Sequence, residues 1–510
     1  MKIDILNDEY WYGLCVDHGI KMPIGKNDEY KINLCPNPTG NQTASIFVSS
    51  KGRFIYCDKG IILSVENGVI SANSENENVN IVFSDGHENL KGAFLALAEK
   101  YIKPNGITPP EAFFGVPQYN TWIELNYLQT QDKILEYAHN LLNAGYSPGI
   151  IMIDDGWNEY YGKWTFRAEN FPDSKSMMKE LHDLGFKVML WICPFISPDS
   201  AEFRYLKEKN CLIKNKDGST AVREWWNGYS AILDLSNPEA IEWFKIQTQN
   251  LIDDYGADGF KFDAGDACYY KKDDITFGNI SDENEQTQLL VKFALNYPYN
   301  ELRAGFGLGG VQIVNRLGDK NHSWTGYGLD SLIPNQLTQG ILGFAFGCPD
   351  MIGGGQVACF INGFENIDEE LFVRYSQCSA LMPMMQFSAA PWRVLKPENA
   401  ELCLKSAKLH EEFAPLILKL AKESAKTGEP VTRFMEYEFP GQNMEKITDQ
   451  FMLGNNILAA PVLTKSETER TVILPKGKWR YVDGTEYSCV ESKEVKVKAP
   501  LDILPYFVKL

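Results

Sequence analysis

No Cys-x-x-Cys pair, no basic excess and no long apolar run occurs anywhere in this 510-residue chain. Each absence excludes something. Eleven cysteines are an odd number without framework spacing, and several stand in apolar runs, such as Cys193 in WICPF and Cys348 in FGCPD. That usage fits free thiols in a reducing cytoplasm better than a disulfide scaffold. No stretch of about 18 apolar residues is present, so a membrane-spanning helix is not expected. The N-terminal MKIDILNDEYWYG is acidic and has no apolar core, so no signal peptide is read there. Without secretion, the acceptor-like triplets at Asn41, Asn279 and Asn321 count for nothing. The six histidines are scattered with no H-x-x-x-H spacing, and no EF-hand-like loop stands out, so no metal or other cofactor is expected. With 49 basic against 67 acidic residues the net charge is −18, which argues against nucleic-acid or anionic-membrane partners. The acids are dispersed, as on a solvated surface.

What is present divides the chain into three. Residues 1–105 read as short strands split by Gly/Asn turns, in SIFVSSKGRFIYC and GIILSVENGVISA, closed by the helical FLALAEKYI. An N-terminal β-sandwich is expected there, and the prolines at 104, 109 and 110 punctuate a linker. Over 106–414 short apolar strands alternate with amphipathic helices, which indicates a (β/α)8 barrel, the TIM barrel, and hence an α/β fold class. From 415 to 510 the strands QFMLGNNILAAPVL, RTVILPKG and KWRYVDG predict a C-terminal β-sandwich domain. Within the barrel, acids gather where strands end: Asp154, Asp263, Asp319 and Asp350. Barrel enzymes carry their active sites at that end of the strands. A single strand-end Asp is more often a cap or turn residue, but several in one barrel point to an enzyme.

Two carboxyls at the ends of different strands can hydrolyse a glycosidic bond with retention, one attacking the anomeric carbon and one protonating the leaving oxygen. Asp263 in GFKFDAGD and Asp319 in VNRLGDKNHSW form the best pair. Competing motifs are weak. Gly305-Phe-Gly-Leu-Gly-Gly310 fits G-x-G-x-x-G, but no βαβ context follows it. No Ser or Cys nucleophile stands in a recognisable elbow.

Residues 110–485, in round figures, resemble glycoside hydrolase family 31. The resemblance is carried by Lys261-Phe262-Asp263, by Gly318-Asp319 followed by Trp324, by Arg303 sixteen residues before Asp319, and by PDMIGGG, in which Met351 and Gly355 depart from the family pattern. LGNNILAAPVL and VILPKGKW look like the family's distal β region. The resemblance implies a retaining α-glycosidase without cofactor, with Asp263 as nucleophile and Asp319 as acid/base. Asp154, Asp155, Trp191, Lys261, Arg303, Trp324 and Asp350 are then expected to hold the sugar, with Trp191 and Trp324 as stacking faces. Trp225 and Trp226 are open between aglycone wall and core. The doubled acid of Ile153-Asp154-Asp155-Gly156-Trp157 resembles the α-galactosidases of a related clan, and KFDAGD, SWTGYGLDSLIP and GCPDMIGGG look like the myogenesis-regulating glycosidase group of the family. Where many family α-glucosidases carry a His, this chain reads Met385 to Ala390 without one. An α-galactoside is favoured over an α-glucoside, with xyloside, sulfoquinovoside and N-acetylated sugars open. The partner expected is a small glycoside in the cytoplasm, a homo-oligomer remaining open. The reading from another class is a silent sugar-binding barrel.

Overall fold

The computed structural model describes residues 1–76 and 79–510. The N-terminal unit is two antiparallel sheets. One has four strands, ordered Lys2–Asp4, Val69–Asn73, Ile62–Glu66 and Tyr30–Asn33. Its tight hairpin turns on Asn67 and Gly68, both at positive φ, the conformation that favours Asn-Gly in two-residue loops. The second sheet is built on Tyr10–Cys15, Gln42–Ser49 and Phe54–Tyr56. Alternate residues Leu63, Val65 and Ile70 of the first sheet meet Trp11, Phe47 and Ile55 of the second in one apolar core. That alternation is what a half-buried strand requires. Leu90–Tyr101 then leads out as a helix, its N-terminus capped by the Asn89 side chain, which accepts from Gly92 N.

The barrel strands follow in chain order: β1 (Gln118–Asn120), β2 (Ile150–Ile153), β3 (Lys187–Ile192), β4 (Gly259–Phe262), β5 (Tyr299–Leu302), β6 (Val314–Arg316), β7 (Gly347–Cys348) and β8 (Gln386–Phe387). Every neighbouring pair in the sheet is parallel, and β8 lies beside β1, so the barrel is nearly closed. Strands buried on both faces must be apolar throughout, as the wholly buried Ile150–Ile153 is. Helices α1 (Gln131–Asn143), α2 (Ser174–Asp183), α3 (Pro238–Tyr255), α4 (Glu283–Ala294), α5 (Leu332–Ile341), α6 (Glu369–Ala380) and α7 (Pro397–Thr427) surround it. Helix α3 shows how local chemistry sets the ends: Asn237 caps the N-terminus, Pro238 opens the first turn, and Gly256 at φ 74° closes the last.

Two departures from a regular barrel position the site. Among the described residues β5 has no following helix. Its connection instead forms the strand Gly305–Phe306, which pairs in parallel with Gln42 and Thr43 of the N-terminal unit and docks that unit onto the barrel. Between β3 and α3 an insertion folds as the antiparallel hairpin Val222–Trp225/Gly228–Ile232, anchored on Phe195–Ile196.

The boundary expected at 414/415 falls inside α7, a continuous helix of 31 residues that ends only at Gly428. A boundary there would cut the helix at Pro415, within an element that continues to Thr427, and the strands of the last unit begin only at Thr432–Arg433. That unit is a six-stranded sheet and the two-stranded ribbon Glu469–Leu474/Lys493–Lys498. Met452, Leu458, Trp479 and Phe507 of the sheet share a core with Val472 and Val495 of the ribbon. No helix among the described residues is long and apolar enough to cross a membrane.

Candidate active site

A cavity of about 530 Å³ opens at the carboxyl ends of the barrel strands, within the roughly 300–1,000 Å³ usual for small-molecule sites. Asp263 extends β4 by one residue, its backbone N–H donating to Ile192 O of β3 at 3.0 Å. Three donors converge on its carboxylate. Trp191 Nε1 reaches Oδ2 at 3.1 Å, and Arg303 Nη2 and the Ala264 N–H reach Oδ1 at 3.1 and 2.9 Å. Burial alone would push this carboxyl up; Arg303 and Lys261 overcome it and hold the group at about 2. Asp263 is therefore a fixed, ionised carboxylate, the state a nucleophile needs.

Arg303 is itself clamped. It pairs in bidentate fashion with Asp266, Nη1 to Oδ1 at 3.0 Å and Nη2 to Oδ2 at 2.9 Å, and donates to Gly40 O of the N-terminal unit. The parallel ladder places Trp191, Lys261 and Glu301 at matched register on β3, β4 and β5, so they share one face of the sheet. Lys261 spans the barrel interior to Asp154 Oδ2 at 2.5 Å, while Asp154 Oδ1 accepts the Asp155 N–H at 2.9 Å. Asp155 beside it accepts from Tyr161 Oη at 3.1 Å and Asn227 Nδ2 at 2.6 Å. Burial first and the Asp154 charge second push the Asp155 carboxyl up to about 7, against those two donors. Asp319 enters the cavity from the loop after β6, its side chain 35% exposed, and Oδ1 accepts from Arg316 Nη1 at 2.9 Å.

The structure thus gathers Asp154, Asp155, Trp191, Lys261, Asp263, Arg303 and Asp319 around one cavity. Two expected sugar-holding residues lie elsewhere. Asp350 has no exposed surface and does not line the cavity. Its Oδ1 accepts from Arg316 Nη1 at 2.7 Å, and its Oδ2 from Lys320 N at 2.6 Å and Gly355 N at 2.7 Å. A Cβ at Gly355 would come within 2.7 Å of that carboxylate, so the departure from the family pattern makes room for it. Trp324 points its indole N–H away, to Asp368 Oδ2 at 2.9 Å, so it offers no stacking face to this cavity. The adjacent tryptophans of the insertion divide: Trp225 is core, stacked on Phe195 at 4.4 Å, whereas Trp226 at the turn lines the cavity, 5.8 Å from the Arg303 guanidinium.

Other lining residues were not singled out from sequence. Arg316 and Asp266 flank the chosen motifs and were within reach of the same strand-end argument. Trp122 and Tyr127 follow β1, whose three residues carry little strand signal. Asp17 comes from the N-terminal unit, held by Asn41 Nδ2 at 2.9 Å and by the Tyr327 hydroxyl. Nothing local marks it. Among the described residues no group of three or more His, Cys, Asp or Glu is arranged to hold a metal ion.

Comparison with known proteins agrees with this architecture. The family model for the glycosyl hydrolases family 31 TIM-barrel domain matches residues 107–420, and that for the family's C-terminal domain matches 428–510. The mouse myogenesis-regulating glycosidase is 34% identical over 416 residues, covering 80% of this chain and 58% of that protein. An α-glucosidase 2 from Bacillus thermoamyloliquefaciens is 25% identical over 416 residues, 75% of this chain and 51% of its own. The chain therefore spans little more than half the length of these relatives. Among solved structures, a family 31 dextranase from Flavobacterium johnsoniae complexed with glucose superposes with a TM-score of 0.86 at 22% identity, covering all of this chain and 66% of that one. By its barrel and its C-terminal domain together, the chain belongs to glycosyl hydrolase family 31.

Proposed function

We propose that the protein is a retaining α-glycosidase, and that the sugar it takes is an α-galactoside. The observation that carries the activity is the contrast between two carboxyls facing one cavity. Asp263 is locked ionised by Arg303, Trp191 and a backbone N–H, and Asp319 is partly exposed to take up and release a proton. In this reading Asp263 attacks the anomeric carbon as the glycosidic oxygen leaves with the proton of Asp319. The resulting glycosyl ester is hydrolysed by a water that Asp319 deprotonates. The net result is hydrolysis with retained configuration.

The sugar is argued from Asp154 and Asp155. Two adjacent buried carboxylates, one anchored by Lys261 and one by Tyr161 and Asn227, can accept from neighbouring hydroxyls on one side of a ring. The stretch Met385–Ala390, which lacks the His of the glucosidase pattern, is wholly buried and does not line the cavity, so the choice of sugar rests on the paired acids. Similarity to the myogenesis-regulating glycosidase supports a glycosidase; the α-glucosidase among the relatives keeps glucose as the competing sugar. All eleven cysteines are free and most are buried, which supports the proposed reducing cytoplasm.

Nitrophenyl α-galactoside, α-glucoside and α-xyloside decide the sugar directly, with galactoside turnover expected to lead. Proton NMR should show the α-anomer formed first. Asp263→Ala and Asp319→Ala should each lose at least about a thousandfold in kcat on alkyl glycosides, the scale expected for removing a nucleophile or a general acid. Sugar binding without turnover on any α-glycoside would replace the enzyme by the silent binder.

A further inference from the structure

One guanidinium behind the proposed acid/base serves three carboxyls. Arg316 ends β6 almost wholly buried. Its Nη1 donates to Asp319 Oδ1 at 2.9 Å, to Asp350 Oδ1 at 2.7 Å and to Leu317 O at 3.0 Å, while Nε lies 3.4 Å from Glu301 Oε1. Asp350 and Glu301 have no access to water. Glu301 is held on its other oxygen by Gln386 Nε2 at 2.9 Å. This arrangement poses a problem for catalysis. A cation touching a carboxyl favours the carboxylate, typically by about 1–3 pH units, yet a general acid must still carry its proton when the leaving oxygen departs.

We propose that Asp350 and Glu301 are counter-charges to Arg316, so that Arg316 aims the Asp319 carboxyl at the leaving oxygen without drawing off its proton. Asp350 is then a positioning residue rather than one that grips the sugar. Its fixed place between the Lys320 and Gly355 N–H groups, with glycine needed at 355 to make room, is what such a role demands. The other charges around the cluster stay in place in the variants below. Asp263 and Lys261 face Arg316 from β4, and Arg303 approaches Asp319 from beyond β5. Lys320 lies 3.6 Å from the Tyr327 ring centroid and senses Asp17, Asp350, Asp330 and Asp319 itself, so it is a second cation near the acid/base. Tyr375 of α6, Cys348 of β7 and Tyr327 are further titratable groups that feel Asp350.

The inference rests on Asp319 being the acid/base of a glycosidase, so it is tested on whichever α-glycoside the wild type hydrolyses. Asp350→Asn keeps an oxygen for the two N–H donors and removes the charge. The alkaline limb of its kcat/KM profile on an alkyl α-glycoside should move down by about one unit, with about tenfold less activity above the limb. On the matching glycosyl fluoride, whose fluoride departs without a proton, the loss should be clearly smaller. Glu301→Gln should shift the limb the same way, and stands in if Asp350→Asn does not fold. A folded variant with an unmoved limb and equal losses on both substrates would overturn the proposal. Failure of the glycosidase reading shows separately, as a wild type inactive on every substrate.

Discussion

A carboxyl cut off from water beside a second carboxyl is costly to ionise, and Asp155 is such a group. Burial and then Asp154 push it up to about 7, whereas in an unfolded chain it titrates near 3.9, the ordinary value for Asp. Between those values the folded state holds a proton that the unfolded state has released, so stability falls as pH rises through that window and is flat above it. Asp155→Asn removes the cost while keeping an oxygen for Tyr161 and Asn227. The variant should therefore melt about 1–3 °C above wild type at pH 8, on the scale of a 1 kcal/mol change in a chain of this size, and by less at pH 5. The same variant should bind the glycoside worse, since the anion that would accept its hydroxyls is gone. Thermal melts at the two pH values check the first claim. A variant equal to or less stable than wild type at pH 8 would show that the pair is not strained. Such trading of stability for function is common where sites need unfavourable electrostatics.

At the scale of elements, the hairpin Val222–Trp225/Gly228–Ile232 does what no barrel strand can: it reaches across the cavity mouth. Asn227 at its tip accepts from Tyr127 Oη at 2.6 Å and donates to Asp155 Oδ2 at 2.6 Å and to Tyr161 Oη at 2.7 Å. One amide therefore ties the insertion, the loop after β1 and the paired acids together. The turn depends on Gly228 at φ 94°, a conformation that other residues rarely adopt. Asn227→Ala should raise KM about tenfold, the worth of one or two such hydrogen bonds, with a smaller change in kcat. A large fall in kcat at unchanged KM would mean that the tip acts on the chemistry instead. This contact also marks where sequence reading stops. Strand ends were legible because an apolar run that stops at an acid, as in GFKFD, signals both the strand and its functional terminus. The hairpin was not: Trp225 and Trp226 are identical in kind, and only the end of the strand at Trp225 keeps one in the core and leaves the other on the turn at the cavity. The motif PDMIGGG is visible in the sequence, yet spacing could not reveal that Asp350 faces Arg316 behind the cavity rather than lining it.

In the whole molecule one large apolar cluster spans all three units, beside the separate cores of the N-terminal sheets and of the last unit. Tyr12, Val16 and Ile46 of the N-terminal unit, the barrel residues, and Val431, Phe451 and Leu504 of the last unit form a single continuous apolar cluster. The strand Gly305–Phe306 adds a backbone seam to Gln42–Ser49, and α7 runs unbroken from barrel to final sheet. The N-terminal unit also supplies Asp17 and Gly40 to the cavity. Composition shifts and prolines outlined three units, but contacts between residues more than 200 positions apart, such as Gly40 with Arg303, leave no local trace in the chain. The consequence is mechanical. Chains of several domains usually unfold in steps, because few contacts cross between their parts. Here, opening the N-terminal sheets would expose the barrel side of a shared core and leave Arg303 without one of its acceptors. The three units should therefore lose structure together. Hydrogen exchange in rising denaturant, read by mass spectrometry, should show protection disappearing at one midpoint for 42–49, 259–262 and 451–459. Release of 42–49 at clearly lower denaturant, with 259–262 still protected, would mean that the N-terminal sheets are a detachable unit. In that case their contribution to the cavity would be a docked contact rather than part of one fold.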